Sequence, residues 1–394
     1  MQRKPAHIAM FTVPAAGHIH PGLEIMRELV ARGHRVTYAV TEEFAAAVEA
    51  VGAESVLYHT TMPSEERGEK YPEEDISAVT IFLDEAVHVL PQMTAAYEDD
   101  RPDLVLYDIG GWAGLVLAGR WGLPAVQISP TFVAWKGYEE LMAPVVEARM
   151  QDPRGVEYYA RFSSWLAENG VESPPDRFVA LPERAVVTIP KALQPHAELV
   201  DESVYTFVGP CLGDRSHQGD WRRPAGAAKV LLISLGSAYT NEPQFYRACF
   251  EAFGGLDGWH VVLNVGRHVA PDSLGPSPGN FDVRPWVPQL AILRQADAFL
   301  THAGMGGTME ALACGVPMVA VPQAVDQFTN AEAIAGLGVG RHVPKQEATA
   351  AVLREAVLSL SEPAVARRSR ELREELRAAG GAPRAVSVIG SYLP

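Results

Sequence analysis

Two histidines in one short loop are the first residues of this chain that could do chemistry. His18 and His20 lie in "VPAAGHIHPGLE", residues 13–24, between an apolar run and an amphipathic segment. A histidine there could bind a metal together with its neighbour, contact a nucleotide, or act as a general base near neutral pH. A metal site would need further ligands from other strands. Pro21 instead predicts that His20 belongs to the start of a helix.

A glycine-rich turn in the second half, "THAGMGGTME" at 301–310, is the other candidate. The chain leaves a strand at His302 and enters a helix near Thr308. The unpaired N–H groups of a helix N-terminus favour phosphate, and glycines permit close backbone approach. His302 and Ser237 could both contact such an anion, whereas a plain tight turn would need the same glycines. Neither a G-x-G-x-x-G fingerprint after the first strand of either half nor a Walker A motif is present, and "GLGVGR" at 336–341 indicates a helix end.

The elements that must position these residues alternate along the chain. Strand-like apolar runs occur in the first half at 7–13, 35–40, 103–108 and 124–129, and in the second at 229–237, 259–266, 298–304 and 316–322. Helical patterns separate them; in the first, Pro21 is expected in the opening turn and Gly33 beyond the end. This alternation is typical of βα units around a parallel sheet. A final helical segment is predicted at about 363–391, with a break at 380–381.

A stretch rich in Gly, Pro and charge at 208–229 interrupts the pattern, which then restarts. We therefore predict a first domain at 1–208, a linker at 209–228, a second domain at 229–378, and a C-terminal helix at 379–394 that packs back on the first domain. The fold class is α/β, with two doubly wound domains. Ligands of such sheets bind beyond the carboxyl ends of the strands, and two domains facing each other would form a cleft.

Composition excludes several classes of protein. The chain has 394 residues with 47% hydrophobic and 21% charged residues, as expected for a soluble enzyme of two domains. A net charge of −15 argues against binding to nucleic acid or to anionic membranes. Its three cysteines are widely spaced, which favours a reducing cytoplasm over a disulfide framework. We expect neither a signal peptide nor a membrane-spanning helix.

A longer signature now carries a family resemblance. "WVPQLAILRQADAFLTHAGMGGTMEALACGVPMVAVPQAVDQFTNA" resembles the donor-binding signature of the UDP-glycosyltransferase superfamily. "HIAMFTVPAAGHIHPGLEIMRELVARGHRVTYA", "PDLVLYD", "AWKGYEE" and "IPKALQPHAE" resemble the actinobacterial macrolide glycosyltransferases that act on oleandomycin-type antibiotics. The resemblance covers nearly the whole chain and implies a GT-B fold and inverting transfer from a UDP-sugar. It departs before Gly17, where relatives tend to carry a polar or charged residue.

The resemblance and the loop chemistry together predict a donor site in the second domain. Trp286 could stack on a base, or be an ordinary core residue. Gln289 and Glu310 could bind ribose hydroxyls, and Asp326 and Gln327 sugar hydroxyls, although each could equally be a plain surface residue. The predicted donor-binding residues are Ser237, Trp286, Val287, Gln289, His302, Gly304, Gly306, Gly307, Thr308, Glu310, Asp326 and Gln327.

The first domain is predicted to hold the base and the acceptor. By resemblance His18 is the base, and Asp108, at the end of another strand, would orient its imidazole. Asp108 could instead cap the helix that follows. The predicted acceptor-binding residues, which could also be core, are Ile81, Phe82, Trp112, Phe132, Trp135 and Tyr138.

The sequence thus predicts a metal-independent, cytoplasmic enzyme, monomeric or homodimeric, that needs no cofactor beyond a UDP-sugar co-substrate. It would transfer a sugar, glucose from UDP-glucose by preference, to a hydroxyl of a hydrophobic natural product such as a macrolide. A role in antibiotic resistance, biosynthesis or detoxification stays open. The alternatives are a transferase that uses a dTDP-deoxysugar, a sugar-nucleotide 2-epimerase, which would need no acceptor, and a noncatalytic sugar-nucleotide-binding protein.

Overall fold

The computed structural model describes residues 5–64, 67, 69, 71–72, 74–213, 215, 218–236, 240–324 and 326–393. The chain divides into two compact units: Met1–Gly213 with Ala379–Pro394, and Asp214–Ala378. Within the described residues, no helix combines the length and apolarity that a membrane crossing requires.

The first unit is built on a seven-stranded parallel sheet in the order β3-β2-β1-β4-β5-β6-β7. The strands are β1 His7–Phe11, β2 Arg35–Val40, β3 Glu54–Leu57, β4 Leu104–Asp108, β5 Ala125–Ser129, β6 Ala185–Val187 and β7 Tyr205–Phe207. The helices are α1 Ala16–Ala31, α2 Glu42–Glu49, α3 Asp75–Ala96, α4 Trp112–Trp121, α5 Tyr138–Met150, α6 Pro153–Glu168 and α7 Pro175–Ala180. The order reverses between β1 and β4, so a crevice opens where their carboxyl ends meet.

The second unit repeats the design with a six-stranded parallel sheet in the order β10-β9-β8-β11-β12-β13. Its strands are β8 Lys229–Ser234, β9 Trp259–Asn264, β10 Phe281–Arg284, β11 Ala298–Thr301, β12 Met318–Ala320 and β13 Gly340–His342. Its helices are α8 Pro243–Phe253, α9 Gln289–Leu293, α10 Met305–Cys314, α11 Gln327–Gly336, α12 Ala350–Ser359 and α13 Pro363–Ala378. The reversal here lies between β8 and β11.

The last helix, α14 Gly381–Gly390, belongs to the first unit. Its residues Ala385 and Ile389 are buried in one apolar cluster with Met26 and Leu29 of α1. The Gly381 N–H donates to the Val208 carbonyl at 2.9 Å. Burial of this apolar face holds the end of the chain against the first sheet.

The predicted α/β class with two parallel sheets is confirmed, and each predicted strand-like run coincides with a strand. The short strands β3, β6, β7, β10 and β13, of three or four residues each, were not predicted. "GLGVGR" is a helix end as predicted, since α11 ends at Gly336 and Gly338 has a φ of +71°.

The predicted start of the first helix was wrong. Helix α1 begins at Ala16, so Pro21 is its sixth residue and not part of the opening turn. Ile19 and Met26 lie seven residues apart in α1, and both are fully buried in one apolar cluster. Burial of Ile19 therefore draws the segment before the proline into the helix.

Candidate active site

His18 and Asp108 meet where the strand order of the first sheet reverses. His18 is the third residue of α1, directly after β1, and Asp108 is the last residue of β4. The two strands are neighbours in parallel register, with Phe11 opposite Tyr107. The Nδ1 of His18 and a carboxylate oxygen of Asp108 form a hydrogen bond. The side chain of Asp108 is 1% exposed and that of His18 is 21% exposed, so the imidazole reaches the surface and the carboxylate lies behind it.

The second oxygen of Asp108 holds the turn after β4. It accepts from the Gly110 N–H at 3.0 Å. The N-cap of α4 is Gly111, without a side-chain cap, so the helix-capping alternative for Asp108 is wrong. With Nδ1 donating to the carboxylate, Nε2 is the imidazole nitrogen that can accept a proton.

The helical setting of His18 also decides how it relates to His20. Residues two apart on a helix do not face each other, unlike residues two apart on a strand. The two imidazoles therefore cannot converge on one ion as a His-x-His pair on a strand would. Within the described ranges, no three His, Cys, Asp or Glu side chains are grouped as metal ligands would be.

Aromatic side chains surround the His18 end of the first sheet. The Phe82 ring lies 6.3 Å from the imidazole of His18, between centroids, and 6.1 Å from Trp112. Trp112 is buried, stacks on Phe162 at 4.9 Å, and donates its indole N–H to the Ile109 carbonyl at 2.8 Å. Of the predicted acceptor residues, Trp112 is thus a core residue that supports Phe82, whereas Phe82 is half-buried beside the base.

The remaining predicted acceptor residues are half-buried: Ile81, Phe132, Trp135 and Tyr138. Trp135 packs edge-on against Tyr138 at 5.1 Å and lies 4.9 Å from the ring of His196. Gln194 secures this loop, since its amide oxygen accepts from the Val133 N–H at 2.9 Å. These side chains offer apolar and aromatic surface on loops held in place by buried hydrogen bonds.

In the second unit, His302 follows β11 at the equivalent reversal of the strand order. Its ring fills the space beside two glycines, because a Cβ on Gly236 or Gly304 would lie 2.7 or 2.4 Å from its Nε2. Burial lowers the pKa of His302 to about 4. A hydrogen bond with the Ser234 backbone opposes this shift more weakly. His302 is therefore neutral at pH 7 and donates a hydrogen bond from one nitrogen only.

The backbone after His302 is unusual. Ala303 has a φ of +63°, a left-handed conformation that costs a non-glycine residue about 1–3 kcal/mol. The buried side chain of Asn330 holds it, donating to the Ala303 carbonyl at 3.0 Å. This conformation turns the chain sharply from β11 into α10.

Helix α10 begins at Met305 with Gly304 as its N-cap and no side-chain cap. Its first intrahelical bond runs from the Thr308 N–H to the Gly304 carbonyl, at 3.0 Å. The N–H groups of Met305, Gly306 and Gly307 thus have no acceptor within the helix. The buried hydroxyl of Thr308 has no hydrogen-bond partner among the described residues. The arrangement presents several donors at the positive end of a helix dipole.

The other predicted donor-site residues differ in exposure. Trp286 is 57% exposed, so the core alternative for it is wrong, while Val287 beside it is buried. Glu310 is 5% exposed, accepts from the amide of Gln289 at 2.8 Å, and forms an ion pair with Arg215.

Asp326 and Gln327 lie at the start of α11. Asp326 accepts from Asn330 at 3.1 Å, and the amide oxygen of Gln327 accepts from the Gln323 N–H at 2.8 Å. Gln327 thus holds the loop before α11, and Asp326 contacts the first turn of the helix. Ser237 lies outside the described residues.

The chain is similar to known glycosyltransferases. The C-terminal domain family of erythromycin biosynthesis protein CIII-like proteins matches residues 248–390. The whole chain is 56% identical to oleandomycin glycosyltransferase of Streptomyces antibioticus, 92% of which is covered. It is 38% identical to NDP-glycosyltransferase YjiC of Bacillus licheniformis, over 98% of each chain.

The chain belongs to the UDP-glycosyltransferase superfamily. Among solved structures, the glycotransferase of kitacinnamycin superposes with a TM-score of 0.93 at 53% identity, covering 99% of this chain and 100% of the other. This glycosyltransferase accordingly has the GT-B fold that the resemblance implied.

Sequence reasoning missed two residues that contact the predicted donor-site region, Arg215 at Glu310 and Asn330 at Ala303. Arg215 lies in the Gly- and Pro-rich stretch between the two α/β patterns, where no periodicity marks it. Asn330 sits inside a helix, where an asparagine ordinarily signals only a surface position. Of these two residues, only Asn330 could have been noticed in the sequence. Asparagine is unfavourable within a helix, so its presence there suggests that its amide has a hydrogen-bond partner.

Proposed function

We propose that this glycosyltransferase moves a sugar, glucose from UDP-glucose by preference, to a hydroxyl of a hydrophobic natural product such as a macrolide, with inversion at the anomeric carbon. The support is its 56% identity to a protein named for oleandomycin. The name of the Bacillus relative specifies only a nucleoside diphosphate, which is the coarser form of the donor assignment.

The hydrogen-bonded pair of His18 and Asp108 is the observation that carries the proposal. A neutral hydroxyl is a poor nucleophile, and general-base catalysis by a histidine overcomes this near neutral pH. Nε2 of His18 takes the proton as the acceptor oxygen attacks the anomeric carbon from the face opposite the diphosphate. The new carbon–oxygen bond forms as the bond to the diphosphate oxygen breaks with its electron pair, and Asp108 stabilises the imidazolium.

The donor would bind at the start of α10. The N–H groups of Met305, Gly306 and Gly307, the Thr308 hydroxyl and neutral His302 are donors for the diphosphate. These groups favour the leaving group most when its charge is greatest, so they can lower the barrier without a cation. The exposed indole of Trp286 suits stacking on the base.

The remaining donor contacts would fix the two sugars. Glu310 and Gln289 would take the ribose hydroxyls, and Asp326 with Gln327 the transferred sugar. The acceptor would lie in the first unit, where Phe82 offers an apolar ring beside the base. Such a site, mostly apolar with a few placed polar groups, suits a large hydrophobic alcohol.

The test is mass spectrometry of product formation with UDP- and dTDP-sugars against a panel of macrolide and phenolic acceptors. We expect a mass increase of one hexose on a macrolide with UDP-glucose, and NMR of the product should give the inverted anomer. Exclusive use of a dTDP-deoxysugar would overturn the donor assignment. Conversion of a UDP-sugar to its epimer without acceptor would instead identify a sugar-nucleotide 2-epimerase.

A further inference from the structure

Arg215 forms an ion pair with the buried carboxylate of Glu310. We propose that Arg215 is a positioning residue of the donor site, which holds Glu310 in the orientation that receives the ribose hydroxyls of the nucleotide. The inference rests on the proposed function, in which Glu310 binds ribose, and it deepens that function by selecting ribonucleotide over 2′-deoxyribonucleotide donors.

The surroundings of Glu310 leave it dependent on a cation. Its side chain is 5% exposed and that of Arg215 is 22% exposed. One carboxylate oxygen pairs with Arg215, and the other accepts from the neutral amide of Gln289 at 2.8 Å. A buried carboxylate is stable only when it is paired and hydrogen-bonded, and an amide alone supplies no charge. Arg215 is thus the residue that allows Glu310 to lie buried in this position.

The pair leaves capacity for a ligand. A carboxylate has about four lone-pair sites, of which Arg215 and Gln289 occupy two. The vicinal hydroxyls of a ribose donate two hydrogen bonds, which matches the remaining two. Glu310 is five residues beyond Met305, roughly 8 Å along α10 from the amides proposed for the diphosphate. One helix therefore presents donors for the phosphates and, about one and a half turns later, an acceptor for the ribose.

The backbone at Arg215 is unusual. Its φ of +50° lies in the left-handed region, which few non-glycine residues adopt. Arg215 and Glu310 both belong to the second unit, so their ion pair joins the beginning of that unit to α10.

Calorimetric titration with UDP and with 2′-deoxy-UDP tests the proposal on the full-length protein. We expect the wild type to bind UDP about 10- to 100-fold more tightly than 2′-deoxy-UDP, the range for a hydrogen bond to a charged group. Arg215→Met, which keeps much of the side-chain length but not the charge, should lose affinity for UDP by this factor and lose less for 2′-deoxy-UDP, which has only the 3′ hydroxyl to donate to Glu310. Arg215→Lys should recover part of the preference.

Two further variants complete the design. Glu310→Gln should lose the same preference, and Arg215→Met combined with Glu310→Gln should lose no more, because both residues act through one carboxylate. Arg222→Met, at an exposed position of the same segment, should keep the wild-type preference. In transfer assays, Arg215→Met should raise the KM for UDP-sugar by about 10- to 100-fold and change kcat less than threefold.

Each other outcome overturns the proposal in a recognisable way. Equal losses for both nucleotides would mean that Arg215 is merely structural or contacts the phosphates, and tighter UDP binding would mean that it blocks the site. If the wild type prefers UDP and Arg215→Met keeps that preference, the positioning role fails while the proposed function stands. If the wild type and Glu310→Gln bind both nucleotides alike, the ribose assignment itself is wrong.

Discussion

Replacing Asp108 by asparagine should reverse the proton arrangement of His18 without disturbing its surroundings. The carboxylate accepts from both His18 and the Gly110 N–H. The amide of the introduced asparagine has only one oxygen. That oxygen accepts the hydrogen bond from the Gly110 N–H, which is 3.0 Å long in the wild type. The NH₂ group then faces Nδ1 of His18, which must accept, so the ring proton moves to Nε2 and the base is lost.

The expected loss in turnover is about 10²- to 10⁴-fold, the range for general-base catalysis, or about 3–5 kcal/mol of transition-state stabilisation. Because Asp108 is 1% exposed and Asn has the same shape, the fold should persist. The assay is the initial rate of transfer to an aliphatic alcohol at saturating donor. His18→Ala should lose as much, and the double variant no more than His18→Ala, since the pair acts as a unit.

Two controls make this prediction sharp. Asp103→Asn alters an aspartate just before the amino end of β4 whose carboxylate accepts from the His7 N–H at 2.7 Å, and it should keep wild-type turnover. An acidic phenol, ionised at the assay pH, needs no base and should react at a nearly normal rate with Asp108→Asn. Turnover of the aliphatic alcohol within threefold of the wild type in Asp108→Asn or His18→Ala would refute the reasoning.

Three further predictions concern the donor side. Trp286→Ala should weaken UDP binding by about 1–3 kcal/mol in calorimetry, because in the proposed donor site the exposed indole would stack on the base. Unchanged UDP affinity with weakened acceptor binding would mean that the donor and acceptor sides are exchanged. Transfer should continue in excess chelator, since in the proposed donor site helix and side-chain donors would stabilise the diphosphate. A loss of activity restored only by Mg²⁺ or Mn²⁺ would contradict this. Burial lowers the pKa of His302 to about 4, so acid should destabilise the ligand-free protein through this residue. As pH falls from 6.5 to 4, His302 binds a proton in the unfolded chain but not in the folded one. The free energy of unfolding should therefore drop by about 2–3 kcal/mol more in the wild type than in His302→Gln. Equal drops in urea titrations would show that His302 is protonated in the folded protein.

Local chemistry allowed much of this protein to be predicted from its sequence. The apolar runs followed by small residues and helical patterns predicted both sheets, because the period of the side chains reflects which faces are buried. His18 and His302 were predicted as site residues because each lies near the carboxyl end of such a run, and the family resemblance made His18 the base. The α10 turn was predicted because Gly304, Gly306 and Gly307 lie between an apolar run and a helical pattern.

Contacts between distant residues were decided by the tertiary structure alone. His18 and Asp108 are 90 residues apart, and they meet because β4 pairs with β1. Arg215 and Glu310, 95 residues apart, have no shared sequence pattern at all. The helical start at Ala16 and the exposure of Trp286 likewise depend on what packs against each segment. Sequence periodicity reports whether a side chain is buried, whereas strand order and packing determine which other side chain it meets.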